Sequence, residues 1–157
     1  MTRRNRLVLT ATATSTALLV GAYISQIFGW EPCAMCLWQR WPHFAAIVAG
    51  LCALAIPGPI FPLLGAAASA TTGGIAIYHS GVERKWWEGP ASCTGSGDSL
   101  AGMSGDALLP GGADLAPLVM CDALQPFFLG LTMANWNALF SVFQICVWLS
   151  AARAGRK

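Results

Sequence analysis

The chain has 157 residues, with nine Lys and Arg, seven Asp and Glu, and a net charge of +2. Charged residues make up 10% and hydrophobic residues 55%, with a mean hydropathy of +0.57; a soluble domain carries about 25% charged residues. This balance excludes a disordered chain and a water-soluble globule, gives no basic excess for nucleic acid, and fits one small membrane domain.

Arg3, Arg4 and Arg6 precede an uncharged run from Leu7 to Trp30. A helix needs about 20 residues to cross about 30 Å of hydrocarbon, so residues 7–29 are read as a first span. Its Ala, Thr and Ser residues allow close approach to other spans. A cleaved secretory signal fits less well, because the run is longer than a usual signal core and further spans follow. A twin-arginine export signal is also disfavoured, since Arg6 stands where that signal has an apolar residue.

Residues 30–40 make a short loop holding Cys33-Ala34-Met35-Cys36 and, four residues on, Arg40. No formal charge lies between Trp41 and Val82, a stretch too long for one span. Pro57-Gly58-Pro59 breaks it, because proline lacks an N–H and fixes φ. Spans over 41–56 and 61–80 follow, joined by a tight turn. Residues 81–134 form a second, longer loop carrying Cys93 and Cys121. Within it, Gly102, Gly105, Pro110-Gly111-Gly112 and Pro117 argue against a continuous helix. A mobile loop with a short helical piece, its Leu and Met side chains dipping into headgroups, is expected there. The uncharged run from Ala123 to Ala152 then supplies a fourth span over 135–152.

The fold class expected is therefore all-α, a four-transmembrane-helix bundle with two loops on one side. Arg3, Arg4 and Arg6 before the first span, with Arg153, Arg156 and Lys157 after the last, outnumber Arg40, Arg84 and Lys85 in the loops. The bias of Lys and Arg toward the cytoplasm puts both termini inside and both loops outside. Trp30, Trp38, Trp41, Trp86, Trp87 and Trp136 fall at outer ends of spans, where indoles collect at the membrane boundary. Trp148 lies elsewhere, near the inner end of the fourth span.

Depth sorts the six cysteines. Cys52 and Cys146, inside spans, read as small buried apolar residues with inert thiols. Cys93 and Cys121 alone would read as a structural disulfide on an oxidising face. Cys33 and Cys36 shift that balance: two intervening residues suit a readily exchanged disulfide with a depressed thiol pKa. Zinc sites also use this spacing, but the 27 residues separating Cys93 from Cys121 lack a knuckle, so no metal is expected. Leu37, not His, follows Cys36, which excludes covalent haem attachment. Arg40 lies one helical turn beyond Cys36 on the same face. It is either a snorkelling anchor or a group that favours the thiolate and binds a polar ligand head. A lipid-soluble acceptor of two electrons from a dithiol is most simply a quinone.

Glu31-Pro32-Cys33-Ala34-Met35-Cys36-Leu37-Trp38-Gln39-Arg40 resembles the Pro-Cys-x-x-Cys-x-x-Gln-Arg signature of the DsbB family of bacterial disulfide-bond formation proteins. Ser92-Cys93-Thr94-Gly95 resembles the first cysteine of that family's second outer loop. Cys121 and the stretch from Leu129 to Asn137 resemble its second cysteine and the entry to the fourth helix. The resemblance implies a quinone-dependent thiol oxidase of the inner membrane, using ubiquinone or menaquinone. It implies that Cys93 and Cys121 take electrons from a periplasmic DsbA-like thioredoxin-fold oxidase, with Cys93 the residue attacked. Transfer through a disulfide between Cys33 and Cys121 to the Cys33/Cys36 pair is implied next. Cys36 is expected to face the quinone, Arg40 to help bind it, and His79 to lie near it. His43 reads as a packing histidine. Rival classes are a specialised relative serving one partner, a vitamin K epoxide reductase-like protein, and a non-enzymatic module with disulfide-stapled loops. The second places its Cys-x-x-Cys on a late helix, whereas here the motif opens the second span.

Overall fold

The computed structural model describes residues 1–90, 120–124 and 126–155. Cys93 and the helical piece expected near Leu100–Leu118 lie outside the described residues. Four helices account for most of the rest: α1 (Arg3–Ile27), α2 (Ala34–Ala55), α3 (Ile60–Glu83) and α4 (Met133–Ala154). They pack in cyclic order, α2 and α4 each touching both α1 and α3. Arg4 donates to the carbonyls of Ile56 and Gly58 at 3.1 and 3.2 Å, and Gly155 lies against the same Arg4. The start of α1, the α2–α3 turn and the end of α4 thus share one end of the bundle. Arg4 also satisfies carbonyls that a helix C-terminus leaves open.

Three helices, α1, α3 and α4, are long and apolar enough to cross a membrane. The second falls short because its first turns carry Gln39, Arg40, Pro42 and His43, leaving a continuous apolar run only from Phe44 onward. It begins at Ala34, seven residues before the expected span, so Cys36 and Arg40 are helical rather than in the loop. Cys33 marks that start as the N-cap, its backbone extended and its sulfur accepting the Cys36 N–H.

The side-chain distribution suits a bundle surrounded by lipid. Buried positions are mostly small, such as Ala11, Ser15, Ala46, Ser69, Ala76 and Ser141. Val20, Ile24, Val48, Leu51, Ile77, Leu139 and Phe143 face outward. Helices that gain nothing from hiding apolar surface associate through close approach and hydrogen bonds. Gln144 does this at mid-bundle, donating to Ser15 Oγ at 3.1 Å and accepting from Ser69 Oγ at 3.0 Å. Trp148 is fully buried and packs where Gly65 leaves room; a Cβ there would sit 2.6 Å from the indole. It is a core residue, unlike the other tryptophans.

Two expectations need correction. Cys52 is half-buried and Cys146 exposed, so neither is enclosed by the protein, and Cys146 belongs to the bundle's outer surface. The all-α expectation also missed a small antiparallel hairpin, β1 (Pro126–Phe128) with β2 (Leu131–Thr132). Its two-residue turn has φ of 53° at Leu129 and 73° at Gly130, the left-handed geometry that hairpin twist favours and that Gly130 accepts without strain. Five strand residues carry too little periodicity to be read from sequence.

Candidate functional site

The site is built on the first turn of α2. Cys33 is its N-cap: the backbone is extended and Sγ accepts the Cys36 N–H at 3.3 Å. Helical geometry brings Cys36 back over the cap, and the two sulfurs are 3.1 Å apart. Cys33 and Cys36 are both free thiols, whereas Cys121 is held in a disulfide. The Cys33 thiol is pushed down to about 4, chiefly because the Cys36 S–H donates to its sulfur. Burial opposes this, while the His79 bond and the Cys36 N–H assist it. The pair therefore holds a thiolate at Cys33 beside a protonated Cys36. A helix N-terminus favours that charge as well.

From α3, His79 brings Nε2 to 3.5 Å from Cys33 Sγ. Its Nδ1 accepts from Gln39 Nε2 at 3.0 Å. The Gln39 amide is oriented by two further bonds: Nε2 donates to the Met35 carbonyl at 3.2 Å, and Oε1 accepts from Asn137 Nδ2 at 2.7 Å. With Nδ1 accepting, the ring proton sits on Nε2 and faces Cys33. One turn further, Glu83 places Oε1 3.9 Å from the same nitrogen. Its Oε2 accepts from Thr132 Oγ1 at 2.7 Å, and Thr132 is the N-cap of α4.

Cys121 completes the cluster. Cys33 Sγ, a His79 ring nitrogen and Cys121 Sγ lie within 4.8 Å of one another, all three residues buried. Such a trio resembles a metal-ligand set, but a disulfide sulfur offers no thiolate to a metal. What the arrangement can do is exchange: a thiolate lies close to a disulfide sulfur.

Beneath these groups is a cavity of about 240 Å³ whose walls include Leu18, Ala22, Cys36, Arg40, His43 and Phe127. Arg40 is buried, donates to Gln26 Oε1 of α1 at 2.8 Å and stacks its guanidinium 4.7 Å from the Tyr23 ring centroid. Held on two sides by α1, it is not a free snorkelling chain. His43 is buried too, with Nε2 2.9 Å from Asn137 Oδ1 and 3.4 Å from Thr72 Oγ1. Among the described residues its Nδ1 has no hydrogen-bond partner.

Of the residues singled out in the sequence, Cys33, Cys36, Arg40 and His79 thus line one cavity at one end of the bundle, with Cys121 against Cys33 and His79, while Cys93 lies outside the described residues. Sequence reasoning missed Gln26, Glu83, Thr132 and Asn137. Only Glu83 carried a signal: an acidic residue one turn after His79 at the end of an otherwise uncharged helix.

The family model for disulfide bond formation protein DsbB matches residues 3–151. The chain belongs to the DsbB family. A similar protein is disulfide bond formation protein B of Shewanella sp. (strain W3-18-1), 31% identical over 144 residues, covering 88% of this chain and 81% of that protein. No solved structure matches the chain. Membership in the DsbB family carries membrane thiol oxidoreductase chemistry directed at disulfide-bond formation, and the cysteine cluster lies within the matched residues.

Proposed function

We propose that this DsbB-family protein reoxidises a periplasmic DsbA-like thioredoxin-fold dithiol oxidase and passes the electrons to a membrane quinone. The observation that carries this is the approach of the Cys33 thiolate to the Cys121 disulfide sulfur above a largely apolar cavity. In this reading four spans keep both termini on one side, and the Lys and Arg excess at the termini supports the cytoplasm for that side, with the two loops in the periplasm of a bacterial inner membrane. The whole chain acts as one domain, and the outer turns of α2 stand at the headgroup level.

Electrons enter at Cys93, paired with Cys121. The incoming thiolate attacks Cys93 and releases Cys121. Cys121 then attacks Cys33 in the oxidised Cys33–Cys36 pair, and Cys36 leaves as the thiolate next to the cavity. Each of these steps needs two sulfurs within reach, and the spacing of Cys33, Cys36 and Cys121 supplies that.

The cavity's donor set suits a quinone head. Its walls are largely apolar, Arg40 offers a fixed cation, Cys36 offers sulfur, and His43 keeps one buried ring nitrogen unsatisfied. A bound quinone supplies the acceptor for two electrons and two protons. Arg40 orients its oxygen and stabilises negative charge there; α1 closes the cavity against water.

The deciding experiment is quinone reduction by the purified protein in the presence of a reduced thioredoxin-like dithiol. Wild-type protein should turn over and Cys36→Ser should not. Turnover of Cys36→Ser at the wild-type rate would overturn the route through Cys36.

A further inference from the structure

Two acids crowd one hydrogen-bond donor in this site. His79 Nε2–H lies 3.5 Å from Cys33 Sγ and 3.9 Å from Glu83 Oε1, and all three residues are buried. A single N–H shared between two anions serves each poorly, and negative charges on both sides of it in a buried site oppose each other. Among the described residues Glu83 gains one hydrogen bond elsewhere, from Thr132. We propose that Glu83 is the proton acceptor of the exchange at Cys33, sharing the His79 donor with it, so that one negative charge resides on Glu83 while Cys33 is in a disulfide and on Cys33 once it is released.

Resting on the relay proposed above, the step is the resolution of the Cys33–Cys121 disulfide by the cysteine that pairs with Cys121. That thiol gives up its proton and its sulfur forms a bond to Cys121 Sγ. The Cys33–Cys121 bond breaks, and its electron pair leaves on Cys33. The proton from the attacking thiol ends on Glu83. His79 Nε2–H turns from the carboxylate to the new thiolate. Atoms and charge balance without any outside reactant, because one thiol, one disulfide and one carboxylate become one disulfide, one thiolate and one carboxylic acid.

The groups that face Glu83 and Cys33 are few among the described residues. From α2 comes Cys36, protonated and donating to Cys33; from α3 come His79 and, following it, Arg84, which spends one nitrogen on Asn135 Oδ1 at 2.8 Å. From α4 and the preceding segment come Thr132 and the non-titrating Cys121, whose backbone also contacts the His79 ring. Of these only the His79 donor lies between both acids.

Infrared spectroscopy of the quinone-free protein near neutral pH, with Cys33 and Cys36 reduced and Cys121 held in its disulfide, tests this. Wild-type protein should show a carboxylic-acid C=O band that disappears when Cys33 is alkylated by iodoacetamide, as the carboxylate returns. Glu83→Gln should lack the band throughout, and Glu83→Asp should retain a shifted one. If Glu83→Gln does not fold, Cys33→Ala supplies the same contrast, because Glu83 should then be ionised and the band absent. A missing band in reduced wild-type protein, or one that survives alkylation, overturns the assignment. The measurement uses neither quinone nor partner. A protein that shows the switching band but fails the quinone assay loses the quinone route alone; one that reduces quinone through Cys36 without the band loses Glu83 alone.

Discussion

Replacing His79 by Ala removes the Nε2–H that faces Cys33 and leaves the Cys36 thiol, the larger contributor to its low pKa, in place. A hydrogen bond to a charged group contributes about 1.5–3 kcal/mol, and one pKa unit is about 1.4 kcal/mol. The Cys33 pKa should therefore rise by about 1–2 units from its starting value of about 4. Cys33 would still be mostly thiolate near neutral pH, so an alkylation rate at one pH would miss the change. The informative assay is Cys33 carbamidomethylation across acid pH, read by peptide mapping, which separates Cys33 from Cys36. The kinetic consequence has opposite signs in the two directions. As a leaving group from Cys121, Cys33 should depart about 3- to 10-fold more slowly, given a sensitivity of about 0.4–0.5 per pKa unit. As a nucleophile toward the Cys121 disulfide, it should gain by a similar factor. A merely structural histidine would slow both directions together. His79→Gln, which can still donate, should recover part of the shift. A folded His79→Ala protein with an unmoved Cys33 midpoint would refute the reasoning.

Two further outcomes are expected. Arg40→Ala should raise the quinone KM while leaving the rate of thiol exchange between Cys33 and Cys121 unchanged; an unchanged KM would return Arg40 to an anchoring role. Replacing Cys52 and Cys146 together by Ala should leave turnover intact, because one is half-buried and the other faces outward, away from the cysteine cluster; loss of turnover in a stably folded double variant would show otherwise.

The four helices were legible because charge-free runs and the Pro57-Gly58-Pro59 break are long-range patterns that one chain displays by itself. Cys33, Cys36 and Arg40 were legible because they sit within two helical turns of each other, so local spacing already implies contact. Glu83 and Thr132 were not, since the bond between them joins residues 49 apart in sequence. The same holds for Asn137, which reaches Gln39 across 98 residues. Nothing local marks which asparagine on an apolar helix will face another helix rather than the headgroups. Helix α2 extends beyond the charge-free run for a related reason: Gln39, Arg40 and His43 are helical, and each finds a hydrogen-bond partner on another helix.

That satisfaction joins the fold to the chemistry. In a bundle whose core is mostly Ala, Gly and Ser, hydrogen bonds between helices hold the register. At the outer end those bonds run from Gln26 to Arg40, from Gln39 to His79, from Asn137 to Gln39 and His43, and from Thr132 to Glu83. Each helix thus contributes to fixing a side chain beside the dithiol or the cavity. The Gln39 amide shows the coupling most directly. It lies on α2, is oriented by α4, and fixes on α3 which nitrogen of His79 carries the proton. A slip of α4 against α2 would free that amide and with it the tautomer, so Cys33 would lose its donor without any change at the cysteines. The packing of the bundle and the protonation of the thiol are therefore set by the same bonds.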